Sequence, residues 1–161
     1  MIVVADTSVL INLCRAGQGA LFRKLFREVV IPPEVSTEFQ RLAAGSPRFA
    51  GLVLPAGIRQ QTPTRTSPIV LAATGLDPGE SAALSLAVEI HADAVLIDER
   101  RGHEVARHLG LRTIGILGIL LQAKTAGHLS AIGPVLAALQ RDAGFWLAAS
   151  LRDHVLALAG E

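Results

Sequence analysis

AVLIDERRGHEVARHLGLRTIGILGILLQAKTAG, residues 94–127, is the stretch on which the fold turns. AVLI (94–97) is a short apolar run halted by the acid pair Asp98-Glu99, too brief for a helix and well suited to a strand buried on both faces. A helix is expected from about 100 to 109, stopped by Gly110. RTIG (112–115) then gives a second short strand, and GILGILLQAKTAG a second helix ending near Gly127. Strand, helix, strand and helix in so short a span indicate parallel strands joined by helical crossovers.

The same alternation extends toward the N-terminus. IVVA (2–5) reads as a buried strand, followed by Asp6, Thr7 and Ser8 as N-cap candidates for a helix over 9–15. ALFRKLF (20–26) is amphipathic, and EVVI (28–31) is a further strand stopped by Pro32-Pro33. Pro33 suits the first turn of a helix through VSTEFQRLAA to Gly45, with Val35, Phe39 and Leu42 on one face. Between Gly45 and Leu76 the signal weakens to loop-rich sequence around a candidate strand at 57–61. Asp77-Pro78-Gly79-Glu80 then opens the clearest helix of the chain, with cap, proline and capping-box acid in order. Two more helical patterns, VLAALQRDAG and LRDHVLALAG, follow either side of FWLAAS (145–150). The expectation is an α/β fold, a three-layer α/β/α sandwich around a central, mainly parallel sheet. No repeat, low-complexity tract or linker divides it, so residues 1–161 are expected to form a single domain.

Composition narrows the function classes. Fifteen basic side chains stand against fourteen acidic ones, and all the basic ones are arginine except Lys24 and Lys124. Arginine suits phosphate, but GC-rich codon usage accounts for the bias at least as well. Cys14 is the sole cysteine, which excludes an internal disulfide and any CxxC motif, and is expected to be a core thiol. No apolar run is long enough to span a bilayer, and Met1 leads into IVVA with no basic segment before it. The expected location is cytoplasmic.

Four acids fall where strands end or helices begin: Asp6, Glu38, Glu80 and Asp98. In an open parallel sheet, ligands bind outside the carboxyl ends of the strands, which is where Asp6 and Asp98 fall. Glu38 and Glu80, near the starts of their helices, can face the same edge. Carboxylates sharing one site repel one another, so a cluster calls for a cation or for raised pKa values, and a hard divalent ion, Mg2+ or Mn2+, fits an all-oxygen donor set. Such an ion activates water against a phosphodiester with no Ser, Cys or His nucleophile. Each acid also has a bland explanation: Asp6 and Asp98 as N-caps, Glu80 as the capping-box residue of its helix, Glu38 as an exposed helical acid.

Taken in order, VVADTSVLINL, VIPPEVSTEF, DPGESAALSLA, the 94–127 block and GFWLAASL resemble the PIN-domain superfamily, and most closely its VapC-like branch grouped as DUF3368. The resemblance spans nearly the whole chain and is most specific from Asp98 to Gly127. It implies an α/β/α sandwich and a Mg2+- or Mn2+-dependent endoribonuclease, the toxin of a type II toxin–antitoxin module, acting as a homodimer and inhibited by a small antitoxin protein. Carried over, the catalytic and metal-binding acids are Asp6, Glu38, Glu80 and Asp98. Thr7 and Ser8 match the hydroxyl residues after the first aspartate, with Ser8 holding the carboxylate or a metal-bound water on the substrate-binding side of the site. Two departures stand out: Glu80 occupies a position that is aspartate in many relatives, and Ile97-Asp98 replaces the common Thr-Asp, with Glu99 available as a supplementary metal ligand. Arg100 and Arg101 are candidate RNA phosphate contacts, with solvated helix-start charges as the alternative.

Rival readings have weaker support. A haloacid-type phosphatase needs a second aspartate where Ser8 stands, a receiver needs a lysine after its last strand where Lys124 falls inside a helix, and Gly115 and Gly118 do not make a dinucleotide-binding GxGxxG. The alternative on the same fold is an RNA- or protein-binding regulatory module without nuclease turnover. His103 and His108 are expected to be hydrogen-bonded or solvated rather than ligands, and Trp146 to belong to the core or an interface rather than to a base-stacking platform.

Overall fold

A computed structural model describes residues 1–161 and shows a five-stranded, all-parallel sheet in the order β3-β2-β1-β4-β5. Strand β1 (Ile2–Ala5) lies at its centre, paired with β2 (Glu28–Ile31) on one side and β4 (Ala94–Leu96) on the other. Strand β3 (Ile58–Gln60) extends the sheet beyond β2, and β5 (Thr113–Ile114) beyond β4. The register sets Ala5 opposite Leu96, so Asp6 and Ile97 are the next pair, and the Asp6 amide donates to the Leu96 carbonyl at 3.0 Å.

Period-two alternation divides the strand side chains between two cores. Val3, Ala5, Val29, Ile31, Ala94, Leu96 and Ile114 face the larger one. Helices α1 (Thr7–Arg15), α2 (Leu21–Leu25), α3 (Pro33–Gly45), α7 (Ile116–Thr125) and α8 (Gly133–Asp142) cover it, and α9 (Ala149–Leu158) adds Leu156 at its margin. Val4, Val30, Val95 and Ile97 face the smaller core, beneath α4 (Pro68–Ala72), α5 (Pro78–Glu89) and α6 (Arg100–His108). Three layers result, α/β/α, as the strand and helix pattern predicts.

The weakly patterned segment 45–76 holds more order than its sequence suggests. A single 3-10 turn over Pro47–Phe49 and the short helix α4 both lie within it, each started by a proline. Neither is long enough to show a helical period, so local sequence cannot announce them. At the other end of the sheet, Ile97 continues the ladder by donating to the Ile114 carbonyl at 3.1 Å, which accounts for the full AVLI run.

Leu96 is fully buried in the central region of the sheet. Leu96→Ala is expected to lower unfolding free energy by about 3 kcal/mol, the usual cost of a large-to-small core change, with an unaltered m-value in urea titration.

Candidate active site

Asp6 leaves β1 in extended conformation as the N-cap of α1, yet its side chain makes no capping hydrogen bond. Its carboxylate turns instead into the interior, 3% exposed, with Oδ2 accepting from the Ser8 hydroxyl at 3.1 Å and Oδ1 left without a partner. Burial raises its pKa to about 7. Backbone donation from Thr7 opposes the rise, and the charges of Asp77 and Glu80 add to it.

Glu80 sits in the first turn of α5 and forms the expected capping box. Its Oε2 accepts from the Asp77 amide at 2.9 Å while Asp77 Oδ1 accepts from the Glu80 amide at 2.7 Å. Capping uses only one carboxylate oxygen; Oε1 is buried and unpartnered. Burial again raises the pKa, and the charges of Asp77, Glu99 and Glu38 contribute in the same direction.

Asp98 follows β4 and accepts through Oδ1 from the Ile116 amide at 3.0 Å, a bond across to the start of α7. Gly115 makes the approach possible: a Cβ there would stand 2.6 Å from Asp98 Oδ1. The second oxygen, Oδ2, is buried without a partner, and burial raises this pKa as well. Glu38, in the second turn of α3, accepts from the Thr7 hydroxyl at 2.8 Å, and Arg41 lies 3.9 Å from its other oxygen. The two hydroxyls after Asp6 therefore divide their work, Ser8 steadying Asp6 and Thr7 steadying Glu38.

Asp6, Glu38, Asp77 and Glu99 line one cavity of about 200 Å3, closed on its apolar side by Ile11, Leu42 and Phe49. Glu80 and Asp98 are not on its wall, although Glu80 lies close enough to Asp6 for its charge to act on that carboxyl. No three His, Cys, Asp or Glu side chains converge into a ready-made ligand cluster. The donor chemistry nevertheless fits a hard cation. Asp6 Oδ1, Glu80 Oε1 and Asp98 Oδ2 are buried oxygens with no hydrogen bond, and a cation offsets the cost of ionising them.

Asp77 is the residue that sequence reasoning missed as part of this site. Its capping role explains it fully in one dimension, yet it lines the cavity and raises the pKa of both Asp6 and Glu80. Its position between helix start and acidic cavity depends on Gly79, where a Cβ would come within 3.1 Å of Glu38 Oε2 and 3.3 Å of Asp77 Oδ1.

The basic candidates separate. Arg100 is almost wholly solvent-exposed and bound only to Glu104 at 3.2 Å. Arg101 is committed within the fold, donating through Nε to the Thr74 carbonyl at 2.6 Å and through a terminal nitrogen to Glu104 at 3.1 Å, which leaves it poorly placed for phosphate. His103 pairs with Thr113 and His108 with the Glu104 carbonyl, both 2.8 Å away, as structural hydrogen bonds. Cys14 is half-buried, its thiol pushed up to about 11 by desolvation. Of the two places expected for Trp146, core or interface, the structure excludes the core: its side chain is 83% exposed.

A parallel α/β/α sandwich with buried carboxylates at the carboxyl edge of its central strands defines the class of the molecule. The family model described as DUF3368: PIN domain matches residues 2–161, and the chain belongs to that family of PIN domains, which are generally nucleases. Among solved structures, the fold is similar to that of a PilT N-terminus domain protein, SSO1118, from the hyperthermophilic archaeon Sulfolobus solfataricus P2. That likeness has a TM-score of 0.56 at 20% identity and covers 81% of this chain and 95% of the other. Comparison with curated proteins found no match. No helix is long and apolar enough to cross a membrane.

The raised pKa of Asp6 has a signed consequence for the metal-free protein. Its folded value, about 7, lies above the ordinary 3.8, so the folded state holds the extra proton between them. This contribution to stability is greatest below pH 4, falls as pH rises toward 7, and stays low above it. Asp6→Asn is expected to raise Tm at pH 8 in EDTA, by an amount equivalent to about 1–3 kcal/mol, and to raise it by less than half as much at pH 5. Calorimetric scans of both proteins at the two pH values check the sign.

Proposed function

We propose that this PIN domain is a Mg2+- or Mn2+-dependent endoribonuclease that hydrolyses RNA phosphodiester bonds at the carboxyl edge of its sheet. The observation that carries the proposal is the set of three buried, unpartnered carboxylate oxygens on Asp6, Glu80 and Asp98, from three separate elements at one edge of the sheet. These three residues are the proposed metal-holding set, with Glu38 and Glu99 completing the acidic lining. A divalent ion bound there supplies Lewis acidity that activates water and offsets charge developing on the phosphate.

The chain's own groups prepare that chemistry. Ser8 and Thr7 orient two carboxylates, the Asp77 amide fixes Glu80, and the Ile116 amide fixes Asp98. Fixing one oxygen of a carboxylate by a hydrogen bond leaves the other aimed and available, at little further ordering cost. Ile11, Leu42 and Phe49 give the cavity a low-dielectric wall, which strengthens any electrostatic contact made inside it. Arg100 is the exposed cation beside the acids and the proposed phosphate contact at the rim, with Arg101 as scaffold.

The VapC-like resemblance supports a cytoplasmic toxin of a two-component module, a homodimer whose acidic site a small antitoxin covers. A small DNA-binding protein encoded in the adjacent reading frame, co-purifying with this chain and suppressing its cleavage of RNA, is the expected finding.

Activity is tested by titrating Mg2+ and Mn2+ into the purified chain with a structured RNA. Cleavage is expected with at least one metal and none in EDTA, and Asp6→Asn is expected to reduce it to background while the circular dichroism spectrum is retained. Gly115→Ala is expected to weaken metal affinity about 10- to 100-fold by displacing the Asp98 carboxylate, read calorimetrically. RNA binding without cleavage at either metal assigns the chain instead to the binding-module reading, and full activity in Asp6→Asn rejects the proposed site.

A further inference from the structure

Trp146 is the only tryptophan of the chain and its most exposed large apolar side chain. An indole offers more contact area than almost any other side chain, and leaving it in water forgoes that burial. The backbone nonetheless holds it outward. Gly144 adopts a left-handed conformation (φ 67°), the Phe145 amide donates to the Leu139 carbonyl at 3.0 Å, and Leu147 is buried in the larger core. Phe145 also packs against that core, so both neighbours of Trp146 are anchored and the indole is presented on a fixed loop between α8 and α9.

The loop is next to the acidic cavity. The Arg48 guanidinium packs directly on Gly144, where a Cβ would collide with it, and Phe49, the next residue, lines the cavity together with Asp6. Trp146 lies two positions after Gly144, at most about 7 Å away along the chain. Arg48 is itself exposed and has neither a salt bridge nor a side-chain hydrogen bond, unlike Arg100, Arg101 and Arg59. An exposed aromatic side chain on an anchored loop, near an uncommitted guanidinium, is a combination by which proteins hold single-stranded nucleic acid: the ring stacks on a base and the cation meets the phosphate.

We infer that Trp146 and Arg48 form a single-stranded RNA subsite at the margin of the acidic cavity, Trp146 stacking on an unpaired base and Arg48 contacting the adjoining phosphate. This rests on the nuclease reading of the cavity, and it requires an unpaired base, since a base must be unstacked from a duplex before an indole can cover it. Anchoring by Phe145 and Leu147 lowers the ordering cost of the contact, because the loop is already in place.

The sole tryptophan makes the subsite directly observable. Titrating the wild-type chain in EDTA with a single-stranded oligouridylate is expected to quench the Trp146 fluorescence, while a blunt RNA duplex of equal length leaves it unchanged. Under cleavage conditions with Mn2+, Trp146→Ala is expected to raise KM for single-stranded RNA about 5- to 100-fold with little effect on kcat, and Trp146→Phe to recover most of the loss. Arg48→Ala is expected to weaken binding and to lower the slope of log K against log salt by about one. Cleavage by the wild type with no quenching, or an unchanged KM in Trp146→Ala, overturns the subsite and leaves the nuclease reading standing. Quenching without cleavage supports the subsite and overturns the nuclease reading. A blue shift of Trp146 fluorescence with protein concentration alone, unaffected by RNA, overturns it in favour of an interface between copies of the chain.

Discussion

Parallel pairing of β1 with β2 on one side and β4 on the other is the interaction from which the rest of the molecule follows. It buries Val3, Val4 and Ala5 completely, and it delivers Asp6 at the carboxyl edge beside Ile97 and Asp98. Asp6 cannot retreat to solvent, because the strand that carries it is covered on both faces. Its charge must be handled in place. Hydrogen bonding by Ser8 and the Thr7 amide offsets part of that cost, and the pKa near 7 records what is left over.

A common arrangement recurs at Asp6, Glu80 and Asp98. In each, a donor at a helix start takes one carboxylate oxygen, and the other is buried without a partner. One unpaired buried acceptor costs on the order of 1–3 kcal/mol, and three of them weigh against a stability that is itself modest. A hard cation matches the chemistry of these oxygens, and PIN domains generally use divalent metal ions.

Glycines give the site its close approaches. At Gly115 and Gly79 a side chain would press on Asp98 and Glu38, and at Gly102 it would collide with Ile97 and come within 3.3 Å of Glu80 Oε1. The acidic edge is therefore shaped by residues that carry no functional group. Sequence reasoning weighed Gly115 only as part of a nucleotide-binding motif that it does not form; its value lies in the space it leaves for a carboxylate.

Sequence alone determined the fold class and the order of its main strands and helices, though not the short elements between Gly45 and Leu76, because short β-branched runs, proline-started helices and capping boxes are local signals that survive without tertiary context. It also marked Asp6, Glu38, Glu80 and Asp98 as candidates, and the Asp77–Glu80 capping box as a helix start. Tertiary structure decided what local patterns cannot carry: that Asp6 leaves its cap unmade, that Glu80 keeps one oxygen free of its box, that Asp77 faces the cavity, and that Trp146 points to solvent rather than into the core. The physical reason is one of range. Capping and periodicity act within a few residues, whereas burial, charge coupling and the direction of a side chain are set by elements that meet only when the sheet closes.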